Sequence, residues 1–186
     1  MSSSYREMPE NLPPPEDDGA ADHLPGSEVP NLSLPSTLGG RLDLASAARG
    51  LLVVYVYPRT GVPGEPLPEG WDEIPGARGC TPQSCAFRDH VADLATLGAS
   101  VVGISAQSPE DQREFAGREH IPYPLLSDDG LQLAATLGLP TFEVAGMRLY
   151  RRLTFIARGG RIEKVFYPVF PPERNASDVL AWLRAV

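Results

Sequence analysis

Two thiols lie five residues apart in the segment GCTPQSCAFRD at 79–89, and they are the only cysteines of the chain, Cys80 and Cys85. Thr81 has the side chain of an N-cap and Pro82 suits the first position of a helix. Beyond them Phe87, Val91, Leu94 and Leu97 recur at three- and four-residue spacing, the period of a helix face. The thiols therefore sit where a loop enters a helix. A helix N-terminus carries partial positive charge and stabilises a thiolate, the nucleophilic form of cysteine. Thiolate redox chemistry or metal ligation are the two uses such a pair suggests. Against both stands the reading of cysteine as a small buried apolar residue. The polar surroundings of this pair speak against that.

The chain that must position these thiols has 186 residues and a formal charge of −8. That length suits one domain with an appendage, with enough chain to bury a core. The acidic balance argues against nucleic acid or an anionic membrane as partner. One cysteine pair is too few for a disulfide scaffold and fits a reducing, cytoplasmic setting. The N-terminus shows no apolar leader, and the longest apolar run is too short to span a bilayer. Residues 1–26 are acidic and proline-rich, and read as a flexible arm, with wrapping through Tyr5, Met8 and Leu12 as the alternative.

From residue 27 to 186 the pattern is that of a single folded domain. A short extended segment at 29–34 with proline inside it reads as an edge strand. The run LLVVYVY at 51–57 reads as a central strand buried on both faces. Residues 58–79 form a loop with five prolines and five glycines, a length that is usually functional, with Trp71 and Ile74 as its anchors. A helix from 82 to 97 closes at Gly98. A second buried strand at 100–105, a helix at 109–119, a short strand at 123–126 and a helix capped by Asp128 or Asp129 follow. Leu139-Pro140 marks a break. RLTFIA and RIEKVFY around Arg158-Gly159-Gly160 give a hairpin, and a helix over 175–185 ends the chain. The β-α-β opening implies parallel strands joined by a right-handed crossover, and the late hairpin makes the sheet mixed. This order predicts an α/β, thioredoxin-like fold: a central mixed sheet flanked by helices on both faces. Chemistry is expected beyond the carboxyl ends of its parallel strands.

The block C-T-x-x-x-C-x-F-R-D at 80–89 resembles that of the thiol peroxidases called peroxiredoxins, most closely their PrxQ group, also called bacterioferritin comigratory protein. The strand VYVYP ending at Pro58, GASVVGIS at 98–105, PYPLLSDDG at 122–130 and RLTFIARGGRI at 152–162 share in the resemblance. It implies a peroxidase in which the Cys80 thiolate attacks a hydroperoxide, Cys85 resolves the sulfenic acid as an intramolecular disulfide, and thioredoxin or a similar dithiol reduces it. It further implies that Arg152 lies beside the thiolate and that no cofactor or metal is needed; Arg78, two residues before Cys80, is a second cationic candidate by its position. Pro58, Thr60 and Thr81 complete the expected substrate surroundings. In the family a Pro-x-x-x-Thr-x-x-Cys loop brings a threonine hydroxyl to the cysteine. Here Pro58 lies 22 residues before Cys80 and Ala77 stands three before it. Thr60 is the candidate to fold back, if residues 61–75 loop out; otherwise a backbone N–H or another side chain takes that part. A resolving cysteine so close in sequence permits a monomer, with a dimer as the alternative.

Other readings use the same residues. A non-enzymatic redox sensor or metal carrier would use Cys80, Cys85 and His90, although this spacing matches no common zinc motif. His23 and His120 read as surface residues. A protein disulfide oxidoreductase would ordinarily carry Cys-x-x-Cys, which is absent. A degenerate relative could have turned its long loop, with Trp71, into an interaction surface.

Overall fold

The computed structural model describes residues 5–186. Its elements are β1 (Ser33–Pro35), β2 (Arg41–Asp43), α1 (Leu44–Ala47), β3 (Leu51–Val56), α2 (Cys80–Thr96), β4 (Ala99–Ser105), α3 (Pro109–Arg118), β5 (Leu125–Ser127), α4 (Gln132–Leu137), β6 (Thr141–Val144), β7 (Met147–Tyr150), β8 (Leu153–Arg158), β9 (Arg161–Phe166) and α5 (Asn175–Ala185). The main sheet has the order β5-β4-β3-β8-β9. β3, β4 and β5 run parallel, while β8 and β9 run antiparallel to their neighbours. This is the mixed sheet that the order of elements predicts.

The run at 51–57 alternates between two cores because successive strand side chains point to opposite faces. Leu52, Val54 and Val56 join Leu133 and Leu137 of α4 and Leu44 of α1 on one face. Val53, Tyr55 and Tyr57 join Phe87 and Leu94 of α2, Phe115 of α3 and Val179, Leu180 and Leu183 of α5 on the other. A strand covered on both sides needs no polar face, hence its unbroken apolar sequence.

The segment 29–34 differs from its expected form: the strand begins at Ser33 and pairs with β2 as a separate ribbon. A second difference is the β6–β7 hairpin, which the break at Leu139-Pro140 did not announce. Its two-residue turn is Ala145-Gly146, both at positive φ (48° and 77°). That is the primed turn geometry of tight hairpins, reached here without the Asn-Gly or Asp-Gly that usually signals it.

The hairpin has a role in the long loop. Trp71 and Ala77 of the loop form a small third core with Val144 and Leu149, flanked by Leu67, Ile74 and Phe142. Trp71 begins a short 3-10 turn, Trp71–Glu73. The anchoring by Trp71 and Ile74 takes place on β6–β7.

Residues 5–26 lie along the body rather than projecting from it. Leu24 is fully buried in the first core. Arg6 pairs with Glu119 at 2.8 Å, and the Tyr167 hydroxyl donates to Asp18 at 2.9 Å. The physical reason is a set of widely spaced polar and apolar anchors, which a composition average does not register.

Candidate active site

Cys80 is the first residue of α2, not one residue before a Thr81 cap. The N-cap is Gly79, at φ 110°, with no side-chain cap. Its carbonyl accepts from the Gln83 amide at 3.0 Å. Only glycine adopts this backbone readily, and a Cβ here would meet Pro172 Cγ at 2.7 Å. Gly79 thus starts the helix early, and the Thr81 hydroxyl is left free of capping. Thr81 Oγ1 is buried and has no hydrogen-bond partner among the described residues.

Arg152 precedes β8, and β8 pairs antiparallel to β3 with Leu153 opposite Val56. Arg152 therefore sits at the carboxyl end of β3, where the thioredoxin-like topology places chemistry. Its Nη2 donates to Cys80 Sγ at 3.2 Å. The same nitrogen donates to the carbonyls of Ala77 and Arg78 at 3.0 and 3.2 Å, and Nε donates to Gly76 at 3.3 Å. Nη1 donates to Gln83 Oε1 at 2.6 Å. One guanidinium thus ties the loop, the helix and the thiol together. Gln83 continues inward: its Nε2 donates to Asn175 Oδ1, which also accepts from the Thr154 hydroxyl. All of these residues except Gly76 are buried.

Cys85 is half-buried on the same helix, with its thiol donating to Glu119 Oε2 at 3.7 Å. Burial pushes the Cys85 thiol up in pKa, Arg88 opposes this, and the Glu119 carboxylate adds to it. Both cysteines are free thiols in an unbroken helix. Behind them the Tyr55 hydroxyl meets Ser84 Oγ at 2.9 Å and the Tyr123 hydroxyl at 2.8 Å, while Tyr123 donates to the Ser84 carbonyl at 2.7 Å. Burial raises the pKa of Tyr55, Tyr57 and Tyr123, so all three stay neutral.

The remaining expected residues fall as follows. Pro58 is buried at the end of β3. Thr60 faces Gln107: its amide donates to Gln107 Oε1 at 3.0 Å, and its hydroxyl lies 3.2 Å from Nε2. The Thr60 hydroxyl is thus engaged by Gln107. Arg78 is buried and directs its guanidinium to Asp72 at 3.1 Å and to the Glu7 carbonyl at 3.2 Å, while its own carbonyl faces Arg152. His90 contacts Asp93, and no group of three or more His, Cys, Asp or Glu side chains among the described residues could hold a metal. His23, exposed, bonds the Leu137 carbonyl at 2.7 Å. Sequence reasoning missed Gln83, three residues beyond Cys80, and also Asn175 and Glu119, which reach the site across long separations that no local pattern records; Tyr5 is legible there only as a contact of a wrapped arm. The helical spacing of Gln83 from Cys80 was the one available signal.

A crevice of about 10 Å³ opens beside Cys80, lined by Tyr5, Arg59, Gly61, Leu67, Trp71, Arg78, Gly79 and Thr81. By this measure it holds about one water-sized molecule. A thiol beside a buried cation at a crevice of this size suits attack by sulfur on a small polar oxygen compound.

Comparison with known proteins points the same way. The Redoxin family model matches residues 24–182. The chloroplastic peroxiredoxin Q of Gentiana triflora is 31% identical over 182 residues, covering 95% of this chain and 76% of the relative. That of Sedum lineare is 32% identical over 161 residues, covering 87% and 78%. The crystal structure of peroxidoxin BcpB from Mycobacterium tuberculosis superposes with a TM-score of 0.71 at 30% identity, covering 88% of this chain and 99% of that one. Peroxiredoxin Q of Xanthomonas campestris, at 23% identity and a TM-score of 0.66, shares the fold. The chain belongs to the redoxin family and, within it, to the peroxiredoxin Q group of thiol peroxidases.

Proposed function

We propose that the chain reduces hydroperoxides with Cys80 as the peroxidatic and Cys85 as the resolving thiol. The observation that carries this is the 3.2 Å contact from Arg152 Nη2 to Cys80 Sγ beside a crevice of about 10 Å³. The Cys80 thiolate attacks one peroxide oxygen, the O–O bond breaks, and Cys80 becomes a sulfenic acid. The departing oxygen takes a proton and leaves as water or an alcohol. In this reading Arg152 donates to the oxygens on which charge develops, and the unpartnered Thr81 hydroxyl is a second donor. Thr81 thereby takes the part that the family gives to its loop threonine.

Cys85 then attacks the Cys80 sulfur, a disulfide forms, and the sulfenic oxygen leaves as water. Five residues of helix put the two side chains about 140° apart, with about 7.5 Å of rise. A disulfide needs Cα atoms within about 7 Å and converging Cβ vectors. The first turns of α2 therefore unwind on oxidation. A dithiol reductant of the thioredoxin type returns both thiols. Resolution within one chain lets the enzyme act as a monomer.

The test is one equivalent of hydrogen peroxide followed by mass spectrometry. The wild type is expected to lose both thiols and gain one intramolecular disulfide. Cys85→Ser is expected to react once and to hold a dimedone-reactive sulfenic acid on Cys80. Peroxide left unconsumed by the wild type would refute the reading.

The raised pKa of Cys85 sets a pH dependence for the second step. The thiolate is the attacking form, and below the pKa its fraction rises about tenfold per pH unit. The rate of disulfide formation is expected to climb at that slope from pH 6 to 8.5, with no plateau below the ordinary thiol range. Stopped-flow decay of the trappable sulfenic acid measures it; a pH-independent rate between 6 and 8 would contradict the assignment.

A further inference from the structure

Residues 5–15 run over the loop and the start of α2, and their side chains meet the loop at glycines. A Cβ on Gly61 would lie 2.7 Å from the Tyr5 Cβ, one on Gly79 3.0 Å from Met8 Sδ, and one on Gly76 3.4 Å from Pro15. The Arg118 guanidinium lies 4.8 Å from the Tyr5 ring centroid and donates to the Gly61 carbonyl at 3.0 Å. Arg6 holds Glu119, and the Glu7 carbonyl accepts from Arg78. Tyr5 is thus seated by cation–π contact, by a missing side chain opposite it, and by bonds on its following residues.

The seat matters because of what lies on its two sides. The crevice at Cys80 and a cleft of about 490 Å³ in the inserted loop share Tyr5, Gly61, Leu67 and Arg78 as walls. The cleft adds the apolar side chains of Val62, Pro63 and Pro66 and the carboxylates of Glu65 and Asp72, and its size is that of sites for small organic molecules. The crevice takes one water-sized molecule. Tyr5, Leu67 and Arg78 are the side chains shared by the two, and of these only Tyr5 belongs to the N-terminal arm rather than to the loop.

We propose that Tyr5 is the specificity-determining residue of this peroxidase. Seated on Gly61, it confines Cys80 to hydrogen peroxide. An organic hydroperoxide with a bulky apolar tail reacts when the arm lifts and the tail enters the cleft along Val62 and Leu67. The proposal rests on Cys80 as the peroxidatic cysteine, but the access that it describes can be measured without peroxide.

The experiment uses the full chain carrying Cys85→Ser, which leaves Cys80 as the only thiol. Rates of Cys80 are measured with hydrogen peroxide and cumene hydroperoxide, and in parallel with iodoacetamide and a fluorescein maleimide. In Tyr5→Ala the bulky-to-small ratio is expected to rise about tenfold or more in both pairs of reagents, the scale of a steric exclusion by one side chain. Gly61→Ala, which displaces Tyr5 without altering it, is expected to do the same, and Tyr5→Phe is expected to keep the wild-type ratio. An alkylation ratio in Tyr5→Ala within about threefold of the Tyr5 parent overturns the gate. Failure of Cys80 to react with either peroxide refutes the peroxidatic assignment instead, and the alkylation ratio still decides the gate.

Discussion

Arg152→Met is expected to lower the rate of Cys80 with hydrogen peroxide by about 10³, the effect of removing an organised charge donor from a reacting oxygen site. The partners of this guanidinium are the carbonyls of Gly76, Ala77 and Arg78, the amide oxygen of Gln83 and Cys80 Sγ. No carboxylate is among them. Among the described residues the buried cation is met by main-chain carbonyls, one amide oxygen and the Cys80 sulfur. Losing Arg152 removes the positive charge from the sulfur and also frees three loop carbonyls and Gln83. Arg152→Lys restores charge without the planar fork that reaches loop, helix and thiol together, so it is expected to recover little. Single-turnover stopped flow on folded variants, checked by their unfolding midpoints, measures the loss. Retention of more than a tenth of the rate in Arg152→Met would remove Arg152 from the reaction.

The second large effect concerns the platform. Phe87→Ala is expected to cost about 3–5 kcal/mol of stability, as for other buried aromatics cut to alanine. Phe87 is fully buried on α2, and its ring stacks on Tyr55 at 4.7 Å and 8°. Tyr55 is itself bonded to Ser84 and Tyr123, so it cannot move into the vacated space without breaking those bonds. The cavity therefore stays open. Phe87→Leu keeps most of the volume and is expected to cost about 1–2 kcal/mol. Urea midpoints at constant slope check both; a cost for Phe87→Ala below about 1 kcal/mol would mean that the helix face collapses freely.

These two residues show what was legible in the sequence. Phe87 is visible through helical period, and Cys80 and Cys85 through their types at a loop-to-helix junction. Arg152 by itself reads equally as a sheet-end arginine in an ion pair; resemblance to the family singles it out, and the antiparallel pairing of β8 with β3 explains its place. The sheet was readable because a strand buried on both faces has a sequence that little else produces. The cap was misread because Thr81 and Pro82 imitate a helix start, while the actual start depends on a left-handed Gly79 wedged against Pro172. The β6–β7 hairpin escaped because Ala145 occupies a turn position that ordinarily takes asparagine or aspartate. Glu119 and Asn175 reach the site from distant parts of the chain, and nothing in their local sequence marks them; Tyr5 was legible only as a contact of the arm in its wrapped form.

The three glycines under the arm do not carry equal information about descent. Gly76 and Gly79 have left-handed backbones, so they would stay glycine whatever lay above them. Gly61 has no such constraint, and its nearest neighbour is Tyr5. A side chain is excluded there by the arm. Among relatives with this loop, an alanine or serine at the position of Gly61 would therefore accompany loss of the arm, and a glycine its retention. A single site inside the insertion thus becomes a marker for inheritance of a segment more than fifty residues away in the chain.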